Sequence, residues 1–448
     1  MGVIAWSPLN GWQDQTNVSS SGQLIGEYRL QNHDLDFGEF RTALAAQRYL
    51  LVATVPWYQD ANGEVWLDDM WHRDLLAHLD YISNLIVLAP RRTLPVPRPE
   101  TLLPVSEVPS LDFLDFPCPE STARAVLKSP MLFAAAWRAV RQADIVQSGA
   151  AGWPLPPGLF VNPVAALLQR PLVIVIESAF WRLTGPGPHS LLRRLRAKVS
   201  EALARWSIRH AHLSVLTHAG YRDTLAQKTR GDVMVIPASW IDAETVVSEK
   251  AAQTTRTGPG RLLLAARLTA EKGISSVLEA LERADPGVSL TIIGEGPLRS
   301  MVAQASERLG RERLRLLDPV PYGPEFFALI REHDAVLVPT LSDEQPRILY
   351  DAFSQGRPAL ASDTPGNREA AREGETAWLF APGDVGALTQ LLNRAGVDAQ
   401  ALRAMQPAAR DLALQHTHQH MHYLRAKKLA ALFGKGSEEE TRHGPAQT

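Results

Sequence analysis

The chain has 448 residues, enough for two or three domains, and its 45% hydrophobic and 21% charged residues are the balance of an ordinary globular protein. Its formal net charge of -2 sets up no global field for nucleic acid or anionic lipid, so any basic surface must be local. One cysteine, Cys118, excludes an internal disulfide framework and a multi-cysteine metal site. The N-terminus lacks a basic flank before an apolar core, and no apolar run approaches a membrane span, so a reducing, cytoplasmic location is expected.

Residues 1–46 carry little pattern and are assigned to an N-terminal extension, with a helix expected within Phe37 to Leu50. Tyr49 to Val55 is an apolar run of strand length and begins a domain set at 47–245. The loop after it holds Trp57, Tyr58 and Asp60, and Trp66, Asp68, Asp69, Trp71 and His72 follow. Flat aromatic faces beside carboxylates suit a sugar, so Trp57, Tyr58, Asp60 and Trp66 are candidates for holding an acceptor. Core tryptophans beside helix-start acids fit the same letters equally well. Leu85 to Leu88 is a strand, residues 91–120 a proline-rich loop, and Met131 to Val140 a helix. Strands follow at 144–147 and 173–176. The second ends at Glu177-Ser178, a carboxylate where ligands collect in open parallel sheets; a loop acid bound to a backbone N–H is the plain alternative.

Leu191 to His210 has helical spacing, with Leu192, Leu195, Val199, Leu203 and Trp206 on one face. Arg193, Arg194, Arg196, Lys198 and Arg205 crowd the others. A packed helix with a solvated basic side is preferred, and peripheral contact with an anionic membrane is the alternative. Strands at 212–217 and 233–236 close this half. Residues 246–260, polar and containing Gly258-Pro259-Gly260, are the expected linker.

A second strand–helix alternation occupies 261–405. Strands are expected at 261–266, 290–293, 314–317 and 335–339, and Gly294-Glu295-Gly296-Pro297 makes a turn. Beyond the last of these strands comes Asp343-Glu344-Gln345-Pro346-Arg347-Ile348-Leu349-Tyr350-Asp351. Pro346 suits a helix start, and Ile348, Leu349, Ala352 and Phe353 recur at helical spacing. A C-terminal helix is set at 406–433 and a disordered tail at 434–448. His416, His418, His420 and His422 alternate within that helix. Pairs four apart share a face and suit a metal, but no carboxylate or cysteine in the sequence around them completes a site, so a structural role is preferred. Two alternations about one linker predict an α/β protein of two Rossmann-like domains facing across a cleft.

Arg267 and Lys272 both fall in the loop after the first strand of the second half, followed by Gly273. Two cations at a strand end, facing a helix start, suit a diphosphate, and a pair of surface cations is the plain alternative for these residues taken alone. Together these residues resemble the second domain of the family 4 retaining glycosyltransferases, which have the GT-B fold. The resemblance is carried by Arg267 with Lys272-Gly273, by Gly294-Glu295-Gly296-Pro297, and by Asp334-Ala335-Val336-Leu337-Val338-Pro339-Thr340. It continues in the acids Asp343 and Asp351 spaced eight apart, then Ala352 and Gly356, and in Pro365-Gly366-Asn367-Arg368-Glu369.

The resemblance implies a nucleotide-diphosphate sugar as donor substrate, with no cofactor and no metal. Arg267 and Lys272 would grip the diphosphate, helped by backbone N–H groups at Arg347, Ile348 and Leu349. Asp351 would bond the ribose and Asp343 the transferred sugar. Gly294, Gly296 and Glu369 belong to the donor site, and Val320 lies where the base would bind. The family usually has Glu at both acidic positions. Both are Asp here, with Glu344 adjacent to take over the first role, and Glu177 is the candidate catalytic group of the first domain. The acceptor is a saccharide, lipid-linked or small molecule. The other classes are a nucleotide-sugar epimerase, which needs acid–base groups against the sugar ring, and a binding protein that has lost turnover.

Overall fold

The structure, a computed structural model, describes residues 35–105, 110–152, 155–183, 190–252 and 260–434. Residues 1–34 of the extension, Gly258-Pro259 of the linker, and 435–448 of the tail lie outside the described residues.

Two all-parallel sheets organise the chain. The first has seven strands in the spatial order Asp232–Val235, Leu213–Leu216, Leu172–Ile176, Ile145–Gly149, Arg48–Val52, Asn84–Ala89, Leu111–Asp115. The second has six, ordered Leu314–Leu317, Val288–Ile293, Gly260–Ala265, Ala335–Val338, Ala359–Ser362, Ala377–Phe380. Central strands such as Leu213–Leu216 and Ala335–Val338 are buried along their whole length. Helices cover both sheet faces, which is why these strands are written as unbroken apolar runs. In the second sheet the strand order reverses between Gly260–Ala265 and Ala335–Val338, and the loops after those two strands carry Arg267, Lys272 and Asp343. Such a reversal leaves a crevice at the strand ends where helices diverge to opposite faces. The loops after strands Leu172–Ile176 and Leu213–Leu216 of the first sheet meet this crevice, so the C-terminal ends of the two sheets face each other.

Four expectations are corrected. Residues 56–66 and 91–104 are not plain loops. They build a small sheet ordered Arg91–Thr93, Trp57–Gln59, Val65–Asp68, Leu102–Pro104, and Leu111–Asp115 adds an edge strand to the large sheet. Three-residue strands among prolines leave no periodicity to detect.

The connection between the domains lies earlier than the expected 246–260. The Val247 N–H donates to the Ser354 carbonyl, Arg410 donates to the Val247 carbonyl, and Ala252 is buried, so 247–252 already belong to the second domain. The chain crosses between domains within 236–246.

The stretch 406–433 is two helices, Gln406–Gln415 and His418–Phe433, separated where the Thr417 hydroxyl caps the His420 N–H at 3.2 Å. The first packs on helix Ile348–Ser354 of the second domain. The other returns to the first domain, burying Met421, Ala426 and Leu429 among Phe40, Tyr49 and Tyr81.

Finally, the apolar face of helix Leu191–His210 packs only from Leu203 onward. Leu192, Leu195 and Val199 are 67%, 59% and 52% exposed.

Candidate active site

The loop carrying the two cations is shaped by close backbone approach. Gly273 has φ 71°, and a Cβ there would collide with the Pro339 carbonyl oxygen. Glycine alone lets the Lys272 turn lie against the end of strand Ala335–Val338. On the other side, the Gly294-Glu295-Gly296 turn packs backbone to backbone on the Arg267 loop. The Leu268 N–H donates to the Glu295 carbonyl at 2.8 Å, and a Cβ on Gly294 or Gly296 would strike the Ala266 or Leu268 carbonyl. Gly294 and Gly296 therefore shape the Arg267 loop.

Lys272 forms an ion pair with Glu344. Burial pushes the Glu344 carboxyl up, but Lys272, with Arg267 and the Ser178 hydroxyl at 3.4 Å, outweighs this and the net shift is downward. Lys272 thus contacts this carboxylate directly, while Arg267 is exposed and acts on it only through its charge.

Asp343 is held from across the cleft. Arg182 Nη1 donates to its Oδ2 at 2.8 Å, and Arg182 is itself fixed by Glu201 and by the Thr224 hydroxyl at 3.0 Å. Glu369 also turns toward the first domain, accepting the Ala219 N–H at 2.9 Å. Gln345 accepts the Ala238 N–H at 2.8 Å. These bonds hold the two sheet ends together around the Lys272–Glu344 pair.

Asp351 is buried on helix Ile348–Ser354 and accepts the Tyr322 hydroxyl at 2.8 Å. Burial raises its carboxyl to about 6, against the lowering effects of Tyr322 and Arg347. A carboxylate kept in an apolar setting with one hydroxyl partner is a common mark of a functional acid. Val320, half-buried, stands two residues before Tyr322 in the loop before helix Pro324–Arg331. Arg347 lies with its guanidinium 5.4 Å from the Trp240 ring centroid. Of the N–H groups expected to meet a phosphate, that of Leu349 is spent on the Pro346 carbonyl at 3.3 Å. Ile348 is half-buried at the first position of the helix.

Glu177 is open to solvent yet walled by protein, as at a cleft floor. Burial, then Asp74, pushes its carboxyl up, and Arg347 and Arg425 oppose this.

The acceptor assignments in the first domain are corrected. Trp57 and Trp66 are 4% and 8% exposed, and the Trp57 indole N–H donates to the Ala89 carbonyl at 3.1 Å. Asp60 Oδ1 accepts the N–H groups of Asn62 and Glu64 at 2.9 and 2.8 Å, closing a turn. Tyr58 pairs with Trp66 across the small sheet. The buried rings of Trp57 and Trp66 and the turn-closing role of Asp60 fit the core alternative, while Tyr58 is half-buried.

Two groups of this site were missed in sequence. Arg182 sits in an irregular loop with no distinguishing spacing. His218 follows strand Leu213–Leu216, so its position at a strand end was legible, but only structure reveals its setting. It is fully buried, its ring centroid is 3.7 Å from that of Tyr221, and burial pulls its imidazole down to about 4 against the pull of Asp343. It is therefore a neutral ring at pH 7.

Comparisons with known proteins show what the chain is similar to in sequence and fold. Residues 247–412 match the family described as Glycosyl transferases group 1. The chain is 27% identical over 260 residues to a glycogen synthase of Mycobacterium tuberculosis, covering 56% of this chain and 61% of that protein. It is 27% identical over 285 residues to a 2-deoxystreptamine N-acetyl-D-glucosaminyltransferase of Streptomyces fradiae, covering 59% and 66%. The matched region thus spans under two thirds of each relative. In fold, it resembles sucrose-phosphate synthase from Thermosynechococcus elongatus (TM-score 0.62, 15% identity, 86% of this chain and 98% of that one). It also resembles Anabaena HepE in complex with UDP (TM-score 0.59, 16% identity, 86% and 100%).

Proposed function

We propose that the chain moves a sugar from a nucleotide-diphosphate donor to a saccharide, lipid-linked or small-molecule acceptor, a reading supported by the match of residues 247–412 to the glycosyl transferases group 1 family. One observation supports this beyond the family match: the Glu344 carboxylate pairs with Lys272 and feels the charge of Arg267 in the adjacent loop, so an anionic group already sits beside Lys272. A diphosphate presents the same charge in stronger form. The two cations stabilise charge on the leaving group as its bond to the sugar breaks, the work a metal does in other transferases. Asp351 bonds the ribose and Asp343 the transferred sugar. Transfer proceeds with retention, the departing phosphate taking the acceptor proton on the same face. Neither an epimerase nor a binding protein without turnover is favoured by the comparisons.

The test is a panel of nucleoside diphosphates followed by their sugars. One base, with UDP tried first because HepE was solved with it, raises stability by about 2.7 kcal/mol at a hundred times its Kd. The matching donor is then turned over, and proton NMR shows its anomeric configuration kept. A chain that no nucleotide stabilises and that turns over no donor is not this enzyme.

The half-buried basic helix supports a lipid-linked acceptor. Among the described residues no helix is long and apolar enough to cross a membrane. Leu192, Leu195 and Val199 are exposed beside Arg193, Arg194 and Arg196, the arrangement of a helix lying on an anionic, cytoplasmic leaflet. Cosedimentation with phosphatidylserine vesicles is expected, with Leu192→Glu/Leu195→Glu reducing it at least tenfold. Undiminished binding of that variant removes the membrane role.

A further inference from the structure

We propose that Asp74, His418 and His422 form a site for a single late first-row divalent metal ion, tested here as zinc, which pins the C-terminal return helix to the first domain. His418 Nε2 and His422 Nε2 are 3.2 Å apart, and they lie 3.3 and 3.2 Å from Asp74 Oδ1. Three ligand atoms so spaced form one face of a tetrahedral shell. Zinc bonds of about 2.0–2.1 Å give tetrahedral edges of about 3.3–3.4 Å. Without a cation, hydrogen bonds serve all three atoms only when both Nε2 atoms carry the proton and donate to the one carboxylate oxygen. With both protonated, the two nitrogen–oxygen sides are satisfied and two N–H groups face each other. A cation in front of the triangle satisfies all three atoms at once.

The surroundings hold the ligands in place. His418 and His422 are 5% and 3% exposed. The far nitrogen of His422, Nδ1, meets the Tyr81 hydroxyl at 3.2 Å, and the second Asp74 oxygen lies 3.4 Å from His78 Nδ1. The His418 ring stacks on Trp240 with centroids 5.1 Å apart. Partners of this kind fix ring orientation and tautomer at metal sites. A cavity of about 440 Å³, lined in part by His72, Arg73, Asp242 and His418, borders the site on its His418 side. Two imidazoles and one carboxylate suit zinc and its neighbours better than the hard cations magnesium and calcium.

The site stands where both interdomain crossings meet. His418 is the first residue of the returning helix, and its N–H donates to the Ile241 carbonyl, on the outgoing crossing, at 2.9 Å. A metal here sets the hinge without touching Arg267 or Lys272.

The full chain is stripped with chelator, reloaded with zinc and measured for metal content, affinity against a fluorescent chelator, and X-ray absorption. A single zinc per chain is expected, in a nitrogen and oxygen shell with imidazole scattering. Tyr81→Phe should weaken affinity about tenfold, and His418→Gln/His422→Gln should abolish stoichiometric binding while circular dichroism shows the fold kept. Substoichiometric zinc in the reloaded wild-type chain overturns the proposal. So does stoichiometric zinc in the double variant, or sulfur in the metal shell. The wild-type measurements need no variant to fold.

Discussion

Asp351→Asn is expected to stabilise the fold at pH 7 and at the same time weaken nucleotide binding. Burial raises the Asp351 carboxyl from 3.8 to about 6. The folded state thus binds this proton more tightly than the unfolded chain, and holding the group ionised at pH 7 costs up to about 3 kcal/mol. An asparagine removes that cost and still accepts the Tyr322 hydroxyl. As pH falls through about 6 toward 4, the wild-type chain gains relative stability by taking up the proton, and the variant does not. The advantage of the variant should therefore be largest above pH 6 and vanish near pH 4. Urea unfolding at pH 7 and pH 4.5 measures both arms. The same change removes a charged acceptor from the ribose, worth about 1.5–3 kcal/mol, so nucleotide affinity should fall about 10- to 100-fold by calorimetry. A variant less stable than wild type at pH 7 would mean that Arg347 compensates the charge fully. A stabilised variant with unchanged nucleotide affinity would remove Asp351 from the ribose site while leaving the electrostatic account intact.

Arg267→Ala and Lys272→Ala should each weaken binding of a nucleoside diphosphate by about 10- to 100-fold, since each loses a charge-assisted contact. Binding of the nucleoside alone should change little, because neither side chain is assigned to base or ribose. Lys272→Ala also leaves Glu344, now paired with it, beside the incoming phosphate. Glu344→Gln should act in the opposite direction, freeing Lys272 and tightening diphosphate binding. Equal diphosphate affinity in wild type and both alanine variants would refute the grip on pyrophosphate.

Much of the second domain could be read from the sequence, for identifiable reasons. Strand Ala335–Val338 is covered on both faces, so it must be continuously apolar, and that is visible as Ala-Val-Leu-Val. The turn of Gly273 requires glycine because the Pro339 carbonyl leaves no space for a side chain. Arg267 and Lys272 lie in one loop, so their shared place at a strand end was visible in a window of six residues. The first domain was less legible. Trp57 and Trp66 look the same in sequence whether they face a sugar or a core. Leu192, Leu195 and Val199 follow the periodicity of a buried face although that face is open.

Local pattern therefore determined the two strand–helix alternations, because backbone geometry and nearest-neighbour spacing are written in short windows. Long-range pairing settled the rest. Arg182 meets Asp343 over 161 positions and Asp74 meets His422 over 348. No window contains both partners, and only the packing of one domain against the other brings such groups within bonding distance. The histidines announced a helix face with metal-ligand spacing. The carboxylate that completes the triangle belongs to the first domain, and the helix that crosses back at Thr417 carries the histidines to it.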